Sequence, residues 1–181
     1  QIIEGSPLPT VVMDADLHVT HWNKALEWLT RTPASAMVGR RHDLGALMRA
    51  GRPMLIEALL QGQTIEQMNS VEGVNVRGSY FLPEGVEEET YHPDLGPRWL
   101  HSVAVPLRAA DGRLLGGIQS IIDITELKLA SQSLQQLNTD LEQRVELRTA
   151  ELSAANQELQ RAMQQLVQSE KLAALGGLVA G

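Results

Sequence analysis

The 181-residue chain contains no cysteine. This absence excludes disulfides, thiolate metal sites, cysteine nucleophiles and any flavin photochemistry that needs a cysteine adduct, and it fits a reducing cytoplasm. Long apolar runs are also missing: none approaches the ~18 residues of a membrane span, and no signal peptide is visible. We therefore expect a cytoplasmic protein. The chain starts without Met and stops mid-pattern, which indicates a piece of a parent that can still carry a membrane anchor.

A basic stripe and the common catalytic motifs are absent as well. The formal net charge is −7 and the charges are scattered. No stripe of basic residues is present to neutralise phosphates, so a nucleic-acid role is not expected. There is no G-x-S-x-G elbow, no phosphate loop ending in Gly-Lys-Ser/Thr and no H-E-x-x-H. This piece of the chain is therefore not expected to be an enzyme.

Proline and glycine are missing from residues 124–173, where one row of positions repeats every seven residues. Counting Ile124 as position a, the a positions are Ile124, Ser131, Asn138, Val145, Leu152, Leu159, Leu166 and Ala173. The d positions are Leu127, Leu134, Leu141, Arg148, Ala155, Ala162 and Ser169. This spacing predicts a coiled coil, a rod of roughly 75 Å at ~1.5 Å per residue.

So thin an apolar stripe cannot be buried by one helix alone, and the simplest partner is a second copy of the chain. We predict a parallel homodimer, because Asn138 then faces its twin and favours one register and two strands. Asn138, Ser131 and Arg148 weaken the row. Two interpretations stay open: a merely adequate coiled coil, or an imperfect seam with two packings that a sensor can bias.

Residues before the rod predict an α+β domain of ordinary size. Strands are expected at Thr10–Met13 and Leu17–Trp22, followed by Asn23 as a helix N-cap and several short helical segments. These segments lie near 24–29, 36–38, 44–48 and 54–60, the last with Pro53 in its first turn and Gly62 after it. Strands are then expected at 86–91, 98–108 and 114–123, with an Asp111-Gly112 turn. The rest of 63–97 is expected to be an extended loop.

Several segments carry a family resemblance. They are G-S-P-L-P-T-V-V-M-D at Gly5–Asp14, Trp22-Asn23, the strand pair from Trp99 to Glu126, and Asp123-Ile124-Thr125 between strand and rod. In this order they resemble a PAS sensor domain over about residues 2–125. The resemblance implies an antiparallel sheet with short helices on one face, and a signal junction at Asp123, Ile124 and Thr125. The domains implied are 1–123 for the sensor, 124–173 for the signalling coiled coil, and 174–181 for the start of the dimerisation and phosphoacceptor helix.

The resemblance also assigns sheet faces. It implies that a ligand cavity is lined by Leu100, Ser102, Ala104, Gln119 and Ile121. It implies an outer face of Trp99, His101, Val103, Val105, Ile118, Ser120 and Ile122, against which an N-terminal helix or a partner subunit packs. Gln119 is the polar inward residue, and two roles stay open for it: a side chain satisfied by backbone, or a ligand contact. Asp123 and Thr125 can also act as plain helix caps.

The rod has a resemblance of its own. L-E-Q-R-V-E-L-R-T-A-E-L at Leu141–Leu152 resembles the signalling coiled coil of bacterial sensor kinases. S-E-K-L-A-A-L-G-G-L-V-A-G at Ser169–Gly181 is similar to the start of the dimerisation and phosphoacceptor helix of histidine kinases. The resemblance implies a two-component phosphorelay, with the chain relaying a PAS-domain state to a kinase core and, through it, to a response regulator. The acceptor histidine then lies beyond Gly181. A constitutive dimerisation and spacer module without ligand is the alternative.

The histidines and carboxylates are the candidate ligands for a metal or a cofactor. Glu87, Glu88, Glu89, His92 and Asp94 include metal-binding residue types, but neighbours on a strand alternate faces, which favours a solvated acidic loop. His18 and His21 are expected on opposite sides of a strand. Haem-binding PAS proteins place an axial histidine on the helix equivalent to Met54–Leu60, where none occurs, although His42 is near. No metal and no cofactor are expected, and the small-molecule ligand, if any, is unknown.

Overall fold

The computed structural model describes residues 2–41, 53–71, 74–93 and 95–179. The chain divides into two compact units, Gln1–Lys128 and Leu129–Gly181. Across the described ranges, every helix falls short, in length or in apolar content, of what a bilayer crossing requires.

The described part of the first unit is built on a six-stranded antiparallel sheet in the order β2-β1-β6-β5-β4-β3. The strands are β1 Thr10–Asp14, β2 Val19–Trp22, β3 Val76–Gly78, β4 Val86–His92, β5 Arg98–Arg108 and β6 Leu114–Asp123. The first strand pairs with the last, so β1 and β6 lie side by side in the middle of the sheet although they are distant in sequence.

Four short helices and one long helix are described. They are α1 Lys24–Thr30, α2 Ala34–Met37, α3 Leu55–Leu60, α4 Ile65–Met68 and α5 Thr125–Val179. Apolar side chains of the sheet and the short helices form one core, whose largest fully buried members include Trp22, Met13, Leu26, Leu55 and Ile56. The predicted α+β architecture, with a long C-terminal helix after the last strand, is therefore confirmed.

Asn23 shows why the first strands and α1 meet where they do. Its Oδ1 accepts from the backbone N–H of Leu26, the predicted N-cap bond, at 3.0 Å and from that of Thr10 at 2.9 Å. Its Nδ2 donates to the carbonyls of Leu8 and Ile3 at 2.8 and 3.1 Å. One buried amide thus satisfies groups of the N-terminal turn, β1 and α1 at once.

Gly116 and Gly117 allow the central strands to approach closely. Gly116 has φ +152°, and a Cβ there would lie 2.0 Å from the carbonyl oxygen of Met13. A Cβ on Gly117 would lie 3.2 Å from Cγ1 of Ile56 in α3. A side chain at position 117 would therefore press on α3, and Ile56 would have to shift by a few tenths of an ångström.

Some element predictions were wrong. Residues 63–97 are not an extended loop apart from one strand, because α4 and β3 lie within them; Thr64 and Gln67 form a capping box that starts α4. The acidic stretch 87–89 is not a solvated loop but part of β4, and α3 begins at Leu55, one residue later than predicted. The helix predicted near 44–48 lies outside the described residues.

Candidate functional site

The five residues predicted to line a cavity lie on one face of the two longest strands. Alternation along β5 and β6 turns Leu100, Ser102 and Ala104, with Gln119 and Ile121, to the core side, and each is less than a tenth exposed. Ser102 lies opposite Ile121, and Ala104 lies opposite Gln119, in the β5–β6 ladder. The structure therefore brings all five together on the inner face; whether they bind a ligand stays a prediction.

Gln119 has a backbone partner on this face. Its Oε1 accepts a hydrogen bond from the N–H of Ile56 at 2.9 Å. Ile56 lies in the first turn of α3, where backbone N–H groups have no partner within the helix. The side chain thus joins the sheet to α3. Of the two roles considered for Gln119, this bond favours the backbone-satisfied one.

A row of polar side chains continues the inner face onto β4. Glu88, Thr90 and His92 are all buried, and Glu88 lies opposite Ser102. Sequence reasoning predicted the strand at 86–91 but missed this row, because it took the acidic residues of the segment to be solvated. The signal that could have found it is the strict alternation from Val86 onward, although polar residues occupy the inner positions. The same alternation turns Glu87 and Glu89 to the other face, so the acidic run and His92 do not converge on one metal; Asp94 lies outside the described residues.

A small pocket of about 30 Å³ lies beside this face, between α3, α4 and β3. Leu55, Ala58, Met68 and Val76 supply its apolar walls, and Gln63 and Gln67 contribute polar groups. A space of this size holds a water molecule or two but not an organic ligand. His42, the histidine nearest the α3 segment in sequence, lies outside the described residues.

The strand-to-helix junction is the second predicted site. Oδ1 of Asp123 accepts from the backbone N–H of Thr125 at 3.0 Å and from its hydroxyl at 2.5 Å. The Thr125 hydroxyl oxygen in turn accepts from the N–H of Trp99 in β5 at 2.9 Å. Asp123 therefore caps the start of α5, whereas Thr125 ties that start to the neighbouring strand.

Two further contacts hold this junction. The N–H of Ile124 donates to the carbonyl oxygen of Trp99 at 2.9 Å, and its own carbonyl accepts from the N–H of Lys128 at 2.9 Å, so Ile124 is the residue at which sheet bonding passes into helix bonding. Nη1 of Arg98 lies 3.3 Å from Oδ2 of Asp123. Partial burial raises the pKa of Asp123, but the hydrogen bonds from Thr125 and the nearby Arg98 outweigh it and the pKa is lowered.

Lys128, which the sequence analysis did not select, fastens the first turn of α5 to the sheet. Its Nζ lies 2.5 Å from Oε2 of Glu89 on β4 and 5.3 Å from the centre of the Trp99 ring. The Trp99 ring also contacts Tyr91, with 5.5 Å between ring centres. The hydrogen bond from Lys128 lowers the pKa of Glu89. These residues come from three elements, so no local pattern indicated them.

The predicted outer face lies on the same side as this cluster. Trp99, His101, Val103 and Val105 are half-buried, as are Ile118 and Ser120, while Ile122 is exposed. Glu87 also lies on this face, where Arg77 pairs with it at 2.8 Å and His101 lies 3.9 Å from it. The assignment of inner and outer residues from the alternation thus agrees with their burial.

One cluster of metal-ligand types lies elsewhere, in the β1–β2 turn. Asp14, Asp16 and His18 place one ligand atom each within 4.8 Å of one another. Oδ1 of Asp14 accepts from the backbone N–H groups of Asp16 and His18 at 3.0 and 2.8 Å. These bonds, that from His18 foremost, lower the pKa of Asp14 against the opposing effect of burial. A hydrogen-bonded turn accounts for the cluster without a metal.

Comparison with known proteins gives a fold. No family model and no curated protein matches the chain. Among solved structures, an RNA-binding light-oxygen-voltage receptor matches with TM-score 0.50 and 20% identity, over 76% of this chain and 35% of the receptor. The PAS domain of BvgS from Bordetella pertussis matches with TM-score 0.42 and 17% identity, over 76% of this chain and 92% of that domain. The PAS domain of the histidine kinase ThkA matches with TM-score 0.38 and 23% identity, over 64% of this chain and 97% of that domain.

The structural match to the light-oxygen-voltage receptor establishes the fold and nothing beyond it. The six-stranded antiparallel sheet with short helices on one face, followed by the long helix, is the α+β fold of a PAS domain. The fold that the sequence resemblance implied is therefore confirmed. The chain spans about a third of the length of the light-oxygen-voltage receptor.

Proposed function

We propose that the chain is the sensory input module of a two-component histidine kinase. In this proposal the state of the PAS-like domain passes through a homodimeric coiled coil to a kinase core, which transfers phosphate to a response regulator. The observation that carries the proposal is the junction. β6 runs into a helix of 55 residues, and the first turn of that helix is held to the sheet by the Glu89 carboxylate of β4 and the backbone N–H of Trp99 in β5.

The inner face supplies a path to this junction. Ile121 lies two residues before Asp123 on β6 and points to the core, while Asp123 caps the helix. Gln119, two residues earlier, is bonded to α3. A displacement of α3 or of an inner side chain therefore acts on the same strand that starts the helix. Because packed cores shift between discrete arrangements rather than deforming freely, such a displacement can select one of two junction geometries.

The dimer is proposed from the exposed leucine row of α5. Leu127, Leu134 and Leu141 are each more than half exposed in the single chain, and so are Val145, Leu152, Leu159 and Leu166. Exposed leucines at this spacing are typical of a helix that pairs with a copy of itself. A parallel pair places both sensor domains at the same end of the coil, which a symmetric output requires.

The proposal is tested in the longer kinase by comparing autophosphorylation with and without stimulus in wild type and in Lys128→Met. The substitution keeps an apolar stem on Trp99 but removes the charge that pairs with Glu89. We expect the ratio of stimulated to basal activity to change while the protein stays folded. Lys171→Met, a charge removed from the far part of α5, is the matched control. An unchanged ratio in Lys128→Met would remove the junction from the signalling path. The 181-residue chain itself is expected to incorporate no phosphate from ATP.

A constitutive dimerisation and spacer module is the second candidate. The bond from Ile56 to Gln119 favours this alternative, because it satisfies the inward polar side chain within the protein and needs no ligand there. Native mass spectrometry of freshly purified protein separates the two. A retained small molecule supports the sensor, and a ligand that raises the melting temperature does so as well. Bare protein that no candidate ligand stabilises supports the spacer.

A further inference from the structure

The residue at which α5 begins changes which side chains can form the core of the coiled coil. Counted by sevens from Ile124, the first half of the seam combines the row Leu127, Leu134 and Leu141 with Ile124, Ser131 and Asn138. Ile124, however, precedes α5 and is half-buried, with its N–H bonded to Trp99. Nδ2 of Asn138 donates to Oε1 of Glu142 on its own helix at 3.2 Å. With Ser131 polar as well, this column brings no apolar side chain to the first half of the seam.

A different column flanks the same leucines on their other side. Ala130 and Leu137 lie three residues after Leu127 and Leu134, and Leu137 is 65% exposed. Residues three and four apart share a helix face, so Leu127, Ala130, Leu134, Leu137 and Leu141 form one continuous apolar stripe. Apolar side chains at every core position are what a stable two-helix seam needs.

The stripe then changes its spacing. In the second half the apolar row is Val145, Leu152, Leu159 and Leu166, again seven apart, but Val145 follows Leu141 by only four residues. The helix is unbroken from Thr125 to Val179, so no bulge absorbs the difference. If Val145 occupies the same core position as Leu127, Leu134 and Leu141, the step from Leu141 to Val145 is four residues instead of seven. This is equivalent to inserting four residues into the heptad pattern, which is called a stutter. From Leu127 to Val145 the stripe then makes five turns in eighteen residues, the period of a straight α-helix.

We propose that a second copy of this chain packs in parallel on a stutter-containing seam of α5. Ala130 and Leu137, rather than Ser131 and Asn138, complete the core layers of its first half. The stutter lies between Leu141 and Val145, and the pair is locally unwound there. This inference rests on the dimer of the proposed function and specifies its contact surface. The second copy is the partner that fits, because in a parallel pair the stripe from Leu127 to Leu141 meets its own image with apolar residues opposite one another.

The absence of cysteine makes disulfide cross-linking a direct test on the full 181-residue chain. Four single variants decide the register: Ala130→Cys, Ser131→Cys, Leu137→Cys and Asn138→Cys. Leu152→Cys, on the row common to both registers, is the positive control. Gln143→Cys, on the opposite side of the helix from Leu141 and Val145, is the negative control. The measurement is the rate of disulfide-linked dimer formation under mild oxidation.

We expect Ala130→Cys to cross-link several-fold faster than Ser131→Cys, and Leu137→Cys at least as fast as Asn138→Cys. The reverse order, with Leu152→Cys still fast, would overturn the stutter and leave the dimer in place. If Leu152→Cys is no faster than Gln143→Cys, the parallel dimer fails and the register fails with it. A second measurement avoids cysteine: Leu137→Ala should raise the dimer dissociation constant about tenfold or more, and Asn138→Ala should hardly change it. Equal effects of the two alanine variants would contradict the proposal.

Discussion

The junction allows a prediction in which stability and signalling separate. Asp123→Ala removes the acceptor for the Thr125 N–H and hydroxyl and the carboxylate beside Arg98. Loss of a cap costs ~1 kcal/mol. The Arg98 pair adds at most about 1 kcal/mol, because both side chains are more than a third exposed. We therefore expect a loss of about 1–2 kcal/mol in the free energy of unfolding.

Ile121→Ala, two residues earlier on the same strand, is the comparison. Ile121 is fully buried, so its truncation should cost ~2–5 kcal/mol. Urea unfolding of both variants gives the two free energies. In the longer kinase, Asp123→Ala should change the ratio of stimulated to basal activity far more than it changes protein abundance. A normal response in Asp123→Ala would show that this residue is only a cap. A loss as large as that of Ile121→Ala would refute the energetic reasoning.

Three further predictions concern the domain. The lowered pKa of Asp123 means that its carboxylate stabilises the fold above the ordinary value of 3.8. This stability is lost as the pH falls through the folded-state pKa, and Asp123→Asn should flatten the loss in acid unfolding curves. Gln119→Leu leaves the Ile56 N–H without its acceptor and should lower the free energy of unfolding by ~1–3 kcal/mol. An unchanged midpoint of urea unfolding would show that this hydrogen bond does not stabilise the fold. Gly116→Ala should cost more than about 3 kcal/mol, whereas Gly112→Ala, at φ +85° with open space, should cost about 1 kcal/mol; similar melting temperatures would contradict the close approach.

The sequence was most reliable where structure depends on near neighbours. Fifty residues without proline or glycine, with apolar residues at heptad spacing, predicted a long helix, and Thr125–Val179 is one helix. The alternation of β5 and β6 correctly assigned the inner face, because a strand turns successive side chains to opposite sides whatever its partner. Asn23 was recognised as a cap for the same reason: the bond to Leu26 closes within one turn.

The weak points were segments whose structure depends on distant partners. β3 has three residues and exists because β4 pairs with it, and α4 is a single turn held by its capping box. Neither has enough residues to show a periodicity. Lys128 was missed because Glu89 and Trp99 reach it from two different strands. Ile124 was counted into the helix because its side chain fits the heptad, whereas its N–H continues the sheet.

The sequence by itself thus determined the elements, their faces and the spacing of the apolar row, since each follows from interactions a few residues apart. The tertiary structure decided how these elements act on one another. It bonded Gln119 to α3, fixed Thr125 and Lys128 to the neighbouring strands, and placed Ile124 between β6 and α5, with its N–H bonded to Trp99 and its carbonyl to the N–H of Lys128. The first position of the predicted heptad row therefore lies before α5, because the backbone N–H of Ile124 takes its partner from a neighbouring strand that is distant in sequence.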